Sequence, residues 1–162
     1  MNMNKTELSI GDWVKAPKLV YDCGPENFDN GMCKVRHLRD DDLDVYAFND
    51  LIYSDVEPIV ITKAILEKLG FVEKDGDIEP NTFEFRTNDL LVKCYMNSGD
   101  IDILKAKEKM PDSHAMDLDY IAANKVEFYL SAKILYVHQL QHLLRIVGKE
   151  FDGDELPGIY EF

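Results

Sequence analysis

The longest strongly patterned apolar segment runs from residue 125 to residue 148, and its periodicity changes along its length. Between residues 126 and 130, apolar side chains alternate with Glu and Tyr, which is the period of a half-buried strand. From Val137 the apolar positions recur every three or four residues, as in an amphipathic helix, and Gly148 suits a left-handed C-cap. The polar side of this helix is predicted to carry His138, Gln139, Gln141, His142 and Arg145. The pattern therefore predicts a strand followed by a helix of about three turns.

Short extended stretches separated by turn signals fill the N-terminal part of the chain. They are Trp13-Val14, Val20-Tyr21, Cys33 to Leu38, Asp44 to Phe48 and Leu51 to Tyr53, with a hinge expected at Asn49-Asp50. Five short strands within about 50 residues is the count of a small SH3-like barrel or a curled meander. We expect Trp13 to fill the interior of that barrel; the alternative is an aromatic side chain exposed on a recognition groove.

The middle of the chain begins with a short predicted helix, with Thr62 as its N-cap and Gly70 after its last apolar residue. Period-2 patterns then return four times, separated by turn signals, over residues 71–73, 82–86, 90–96 and 101–104. These stretches predict an antiparallel meander. We expect the strand near residue 126 to join this sheet and the following helix to lie on one of its faces.

The predicted fold class is therefore α+β. It consists of an N-terminal SH3-like β-barrel, residues 1–58, followed by an antiparallel sheet packed with one main C-terminal helix, residues 59–162. Alternatively, the two parts form one compact domain.

The composition indicates a cytoplasmic protein with a strongly acidic surface. Asp and Glu number 31 against 18 Lys and Arg, a formal net charge of -13. Such a charge disfavours direct binding to nucleic acid or anionic membrane and favours encounter with basic partners. The three cysteines, Cys23, Cys33 and Cys94, lack C-x-x-C spacing and are typical of reduced thiols; Cys94 lies in an apolar run, which favours a buried structural role.

Three sequence blocks occur in the same order as in a known group of proteins. They are Ile10-Gly11-Asp12-Trp13-Val14, Glu57-Pro58-Ile59 followed by Ile65-Leu66-x-x-Leu69-Gly70-Phe71, and Tyr136-Val137-His138-Gln139-Leu140-Gln141. On these blocks the chain resembles a widespread group of short uncharacterised proteins from Bacteroidetes bacteria and their phages. The resemblance implies a phage or prophage context and a cytoplasmic setting, and it implies no activity.

His138 and His142 have the i, i+4 spacing of two zinc ligands on a helix. The residue after the first histidine is Gln139, however, and an amide cannot serve as the general base of a zinc hydrolase. A non-catalytic metal site at this pair stays a candidate, against the simpler interpretation that His142 faces water. We expect no cofactor.

Other catalytic and ligand-binding motifs fail on spacing. If Asp40 began an EF-hand loop, the required Gly would be Val45 and the terminal Glu would be Leu51, so a solvated acidic turn is favoured. The chain contains no phosphate-binding glycine motif and no G-x-S-x-G. An enzyme is therefore less favoured than a non-enzymatic binding protein.

Two ligand classes stay open. Asp41 and Asp42 belong to an acidic run that could engage a basic host protein by mimicking nucleic acid. Alternatively, Arg86 and Arg145, with Trp13 as a stacking surface, could hold a small anionic ligand such as a nucleotide signal in a cleft between the two parts. The apolar final helix is also compatible with a homo-oligomer.

Overall fold

The computed structural model describes residues 3, 5–17, 31–45, 48–74, 80–87, 89–107 and 126–150. The internal contacts divide the chain into two units. The first unit comprises Met1–Ile61 and Tyr136–Phe162, and the second comprises Thr62–Leu135. The second unit is thus inserted into the sequence of the first, whereas the sequence predicted a single division near residue 58.

The first unit contains a four-stranded antiparallel sheet in sequence order. Its strands are β1 (Trp13–Lys15), β2 (Met32–Leu38), β3 (Asp42–Val45) and β4 (Phe48–Ile52). Short 3-10 turns lie at Lys5–Glu7 and Tyr53–Asp55. Fully buried Val14, Leu43 and Val45 lie in its core. Among the described residues the sheet does not close on itself, so the SH3-like barrel is not confirmed.

The hinge predicted at Asn49-Asp50 is wrong. Val45 pairs with Phe48, which places the chain reversal between these two residues and Asn49 and Asp50 within β4. Asp50 nevertheless has a φ of 59°, and its backbone N–H donates to Asp44 Oδ1 at 2.9 Å. The unusual backbone of Asp50 therefore lies inside a strand and not at its end. The predicted strand at Val20-Tyr21 lies outside the described residues.

The predicted C-terminal strand and helix are both confirmed. The strand, β9, is Val126–Lys133, and the helix, which we call α2, is Val137–Ile146. Gly148 has a φ of 77° and follows the last turn, where the Lys149 N–H donates to the Leu144 carbonyl at 3.0 Å. This left-handed glycine ends the helix as the sequence predicted.

The helix α2 belongs to the first unit, whereas the sequence suggested that it covers the C-terminal sheet. The Val137 N–H donates to the Ile59 carbonyl at 2.9 Å, and α2 then contacts β1. Leu140 and Leu144 are fully buried. The contacts that position α2 within the first unit come from residues remote in sequence, such as Trp13, which lies 128 positions from Gln141.

The second unit is the predicted antiparallel meander, preceded by a short helix. The helix α1 is Lys63–Lys68, capped by Thr62, whose Oγ1 accepts from the Ile65 N–H at 3.3 Å. The sheet contains β5 (Val72–Glu73), β6 (Thr82–Arg86), β7 (Leu90–Tyr95), β8 (Asp100–Ala106) and β9, paired in that order. Within the described segments, neither helix is long and apolar enough to cross a membrane.

Cys33 and Cys94 are both buried free thiols. Burial raises the pKa of each to about 12, because a thiolate loses its hydration in an apolar environment. Both therefore stay protonated at neutral pH, which agrees with the structural role predicted for Cys94.

Candidate functional site

Asp12, in the segment just before β1, is a fully buried carboxylate surrounded by donors. Its Oδ2 accepts from the Ser9 backbone N–H at 2.7 Å and lies 2.7 Å from His142 Nε2. Its Oδ1 accepts from Arg145 Nη1 at 2.7 Å. A buried carboxylate is stable only when such partners replace its hydration. Burial of Asp12 therefore depends on His142 and Arg145 of α2, and Asp12 in turn holds α2 in place.

The Gln141 side chain connects α2 to backbone groups at and just before the start of β1. The Trp13 N–H donates to Gln141 Oε1 at 2.8 Å, and Gln141 Nε2 donates to the Gly11 carbonyl at 3.1 Å. The side chain is buried, although the helical periodicity placed it on the polar side. The amide thus satisfies two backbone groups and holds one face of α2 against residues 11–13.

A polar pocket of about 200 Å³ opens beside this connection. It is lined by Ile10, Gly11, Lys34, Gln141, Arg145, Lys149 and Glu150. Three of these side chains are cationic and one is anionic. Two carboxylates fix the position of Arg145 in the pocket lining: its Nη1 donates to Asp12, and its Nε lies 3.5 Å from Glu150 Oε1.

Gly11 allows the close approach of Arg145 to the backbone. Its φ is 89°, in the left-handed region, and a Cβ built on it would lie 3.3 Å from Arg145 Nη2. A side chain at this position would be strained by its backbone and would crowd the guanidinium. The glycine therefore helps to position Arg145 at the pocket.

Trp13 is buried, as predicted, although the barrel interior that it was expected to fill is not confirmed. Its indole supports one of the pocket lysines. Lys34 Nζ lies 5.2 Å from the centre of the Trp13 ring, within the range of a cation-π interaction. The indole Nε1 is buried and has no hydrogen-bond partner among the residues that the structure describes. Trp13 thus places Lys34 beside the pocket without lining the pocket itself.

The histidine pair lies on α2 with the two side chains in different environments. His138 is buried, and burial lowers its pKa below the ordinary histidine value. The two rings meet edge to face with centres 5.9 Å apart, and His142 Nε2 faces Asp12. Among the described residues, no group of three or more His, Cys, Asp or Glu side chains is placed to hold a metal ion, so metal binding stays a prediction.

Arg86 and Arg145, the two arginines proposed to share an anionic ligand, belong to different units. Each contacts a buried carboxylate of its own unit. Arg86 Nη2 lies 2.5 Å from Glu84 Oε2, where Lys74 and Lys93 also approach. In the first unit, Arg145 is the arginine that lines the pocket.

Arg39 organises the acidic run predicted as a protein-binding surface. Its guanidinium contacts Asp42 and donates to Asp44 Oδ1 at 2.7 Å and to Asp50 Oδ1 at 2.9 Å. The hydrogen bonds from Arg39 and from the Asp50 backbone hold the pKa of Asp44 well below its usual range. Asp41 is exposed, whereas Asp42 is half-buried and paired. Arg39 therefore balances part of the negative charge of this run within the unit.

The first unit thus combines a buried carboxylate, an arginine fixed by it and a pocket in which three of the four charged lining residues are cationic. Such an arrangement can bind a small oxyanion, because an oriented guanidinium and nearby ammonium groups replace the hydration of its oxygens. Sequence reasoning identified Arg145 and Trp13 by residue type but missed Asp12, Lys34 and Lys149. No family model, curated protein or solved structure matches the chain.

Proposed function

We propose that this chain is a non-enzymatic binding protein whose first unit holds a small ligand bearing a phosphate or carboxylate group. The observation that carries the proposal is the convergence of Lys34, Arg145 and Lys149 on one pocket. The whole chain has a formal charge of -13, whereas three of the four charged residues that line this pocket are cationic. Cationic side chains that line a pocket focus their field into it, which supports an anion as the ligand.

Two of the cationic groups are held in place before any ligand binds. Asp12 and Glu150 orient Arg145, and the Trp13 ring supports Lys34. Groups already fixed in a binding geometry lose less conformational entropy on binding. The proposed site therefore gains affinity from preorganisation as well as from charge.

The size of the pocket limits the ligand. Sites for drug-sized molecules usually measure about 300–1,000 Å³, and this pocket measures about 200 Å³. It suits one anionic group with a small substituent and not a complete nucleotide. For the nucleotide-signal alternative, only the phosphate would enter the pocket.

Replacing Lys34 and Lys149 together by Gln is expected to weaken anion binding about 100-fold, since each charged contact is worth roughly tenfold in affinity. Isothermal titration calorimetry with sulfate, phosphate and citrate measures the effect. The control is Lys133→Gln, a lysine of the second unit whose side chain is 77% exposed. The proposal fails if the wild type binds none of the three anions, or if the double variant and the control bind equally well.

We also propose, as a second candidate, that the acidic surface engages a basic protein in a phage or prophage setting. The formal charge of -13 and the exposed Asp41 favour it. The pairing of Asp42 with Arg39 argues that Asp41 contributes more to such a surface than Asp42 does. Electrostatic attraction of this kind acts over about 10 Å at moderate salt and is weakened by added ions.

For this second candidate, capture of the basic partner from a host lysate is expected to fall at least about tenfold between 50 and 300 mM salt. The Asp41→Asn/Asp42→Asn variant should weaken capture at low salt. The matched control, Glu67→Gln/Glu127→Gln, removes the same charge from exposed sites of the second unit. Capture that is insensitive to salt, or equal loss in the control, would contradict the acidic-surface proposal.

A further inference from the structure

The pocket beside α2 has an apolar wall as well as charged ones. Ile10 lines it and is 63% exposed, although the chain continues through Gly11 to the fully buried Asp12. Resting on the anion-binding function proposed above, we propose that the ligand belongs to the small monocarboxylates with a short aliphatic chain. The carboxylate of such a ligand contacts Arg145 and the lysines, and its aliphatic chain covers Ile10.

The charges around the pocket match one negative charge better than two. Arg145, Lys34 and Lys149 are cationic lining residues, and Glu150 is an anionic one. Asp12 accepts from Arg145 Nη1 at 2.7 Å and so offsets much of the positive charge of that guanidinium. Three cationic groups against these two carboxylates leave an excess of one positive charge. One carboxylate balances this excess, whereas a sulfate dianion exceeds it.

Arg145 offers one nitrogen to a ligand on the Gly11 side of the pocket. Its Nη1 donates to Asp12, and its Nε lies 3.5 Å from Glu150 Oε1. The position that a Cβ of residue 11 would occupy lies 3.3 Å from Arg145 Nη2, and apart from the chain neighbours no other described atom lies within 4 Å of it. A ligand oxygen in this space accepts from Nη2, and the aliphatic chain then begins beside Ile10.

The volume of the pocket agrees with this ligand class. It measures about 200 Å³, and a water molecule occupies about 30 Å³ in the liquid. The pocket therefore has room for about six water-sized groups, which is more than a carboxylate needs. Aliphatic carbons that fill the rest remove apolar surface of Ile10 from water, and each buried CH2 group is worth about fourfold in affinity.

The test is NMR titration of the ¹⁵N-labelled full chain at pH 7 and constant ionic strength with acetate, butyrate, isovalerate, valine and sulfate. We expect butyrate to bind about tenfold more tightly than acetate, because its two additional CH2 groups contact Ile10, and more tightly than sulfate. Isovalerate should bind more tightly than valine, which adds an ammonium group to the same carbon skeleton.

Ile10→Ser should reduce the difference in affinity between acetate and butyrate to less than about twofold. The control is Ile52→Ser, which changes an isoleucine of the same unit that is 51% exposed and is not a lining residue, and it should keep the full difference. Both side chains are exposed, so neither substitution is expected to unfold the unit.

The ligands also separate the monocarboxylate class from the anion-binding function itself. Sulfate binding at least as tight as that of butyrate, or equal binding of acetate and butyrate, would overturn the class and leave anion binding standing. Tighter binding of valine than of isovalerate would overturn it in favour of a zwitterion held through Glu150. Binding of none of the five ligands would overturn both proposals, and a chain-length effect that persists in Ile10→Ser would overturn the assignment to Ile10.

Discussion

The Asp12→Asn variant is expected to lower the free energy of unfolding of the first unit by about 3–5 kcal/mol. Asp12 is fully buried and both of its oxygens accept hydrogen bonds. In the variant, the NH2 group replaces one of those oxygens and faces a donor, while Arg145 keeps a positive charge without its buried partner. Loss of one member of a buried ion pair costs more than loss of an exposed pair, because the remaining charge is poorly hydrated.

The measurement is urea unfolding followed by the fluorescence of Trp13, the single tryptophan of the chain, which lies next to Asp12 in the first unit. The control is Asp41→Asn, at an exposed position, which should change the free energy of unfolding by no more than about 0.5 kcal/mol. If Asp12→Asn lowers the free energy of unfolding by less than about 1 kcal/mol, Asp12 does not hold α2 in place within the first unit.

The sequence could not reveal Asp12, because its partners are remote. It follows a glycine and precedes a Trp-Val strand, a context typical of a turn residue. Its two side-chain partners, His142 and Arg145, are 130 and 133 positions later. Periodicity reports which face of an element is apolar, and it contains no information about which buried polar groups meet.

The strands and helices themselves were largely predictable, because periodicity reports local burial. The change from period 2 to period 3.6 near Val137 comes from local burial, and the structure has β9 and α2 on either side of it. Of the short N-terminal strands, those at Trp13-Val14 and at Cys33 to Leu38 were also predicted, whereas the boundary between β3 and β4 was misplaced; the predicted strand at Val20-Tyr21 lies outside the described residues. Closure into a barrel depends on pairing between strands distant in sequence, which local patterns do not specify.

The position of α2 shows where a local pattern misleads. The periodicity placed Gln141 and His138 on the polar side of the helix, yet both are buried. Gln141 is buried because it bonds to the backbone of Gly11 and Trp13, a role that a hydrophobicity pattern scores as exposed. Lysines such as Lys34 and Lys149 are usually solvated, so their convergence on one pocket was not predictable from residue type.

Replacing Glu84 by Gln is expected to lower the free energy of unfolding of the second unit by about 2–4 kcal/mol at pH 7. Glu84 is 5% exposed and receives hydrogen bonds from Arg86, while Lys74 and Lys93 lie 3.5 and 3.4 Å from its carboxylate oxygens. Burial alone would raise the pKa of Glu84, but the Arg86 hydrogen bond and the three positive charges outweigh it and lower the pKa below its ordinary value.

The lowered pKa of Glu84 determines how the free energy of unfolding of the second unit changes with pH. The ionised carboxylate stabilises the folded unit fully above the unfolded-state pKa of about 4.3, and this contribution is lost as the pH falls through the lower folded-state pKa. The gap between wild type and Glu84→Gln should therefore be widest near pH 7 and shrink below about pH 4. Amide hydrogen exchange of β6 and β7 measures it within the second unit, with Glu127→Gln, an exposed carboxylate 3.9 Å from Lys105, as the control. A gap of the same size at pH 3 and pH 7 would show that the shape of the Glu84 side chain, and not its charge, stabilises the sheet.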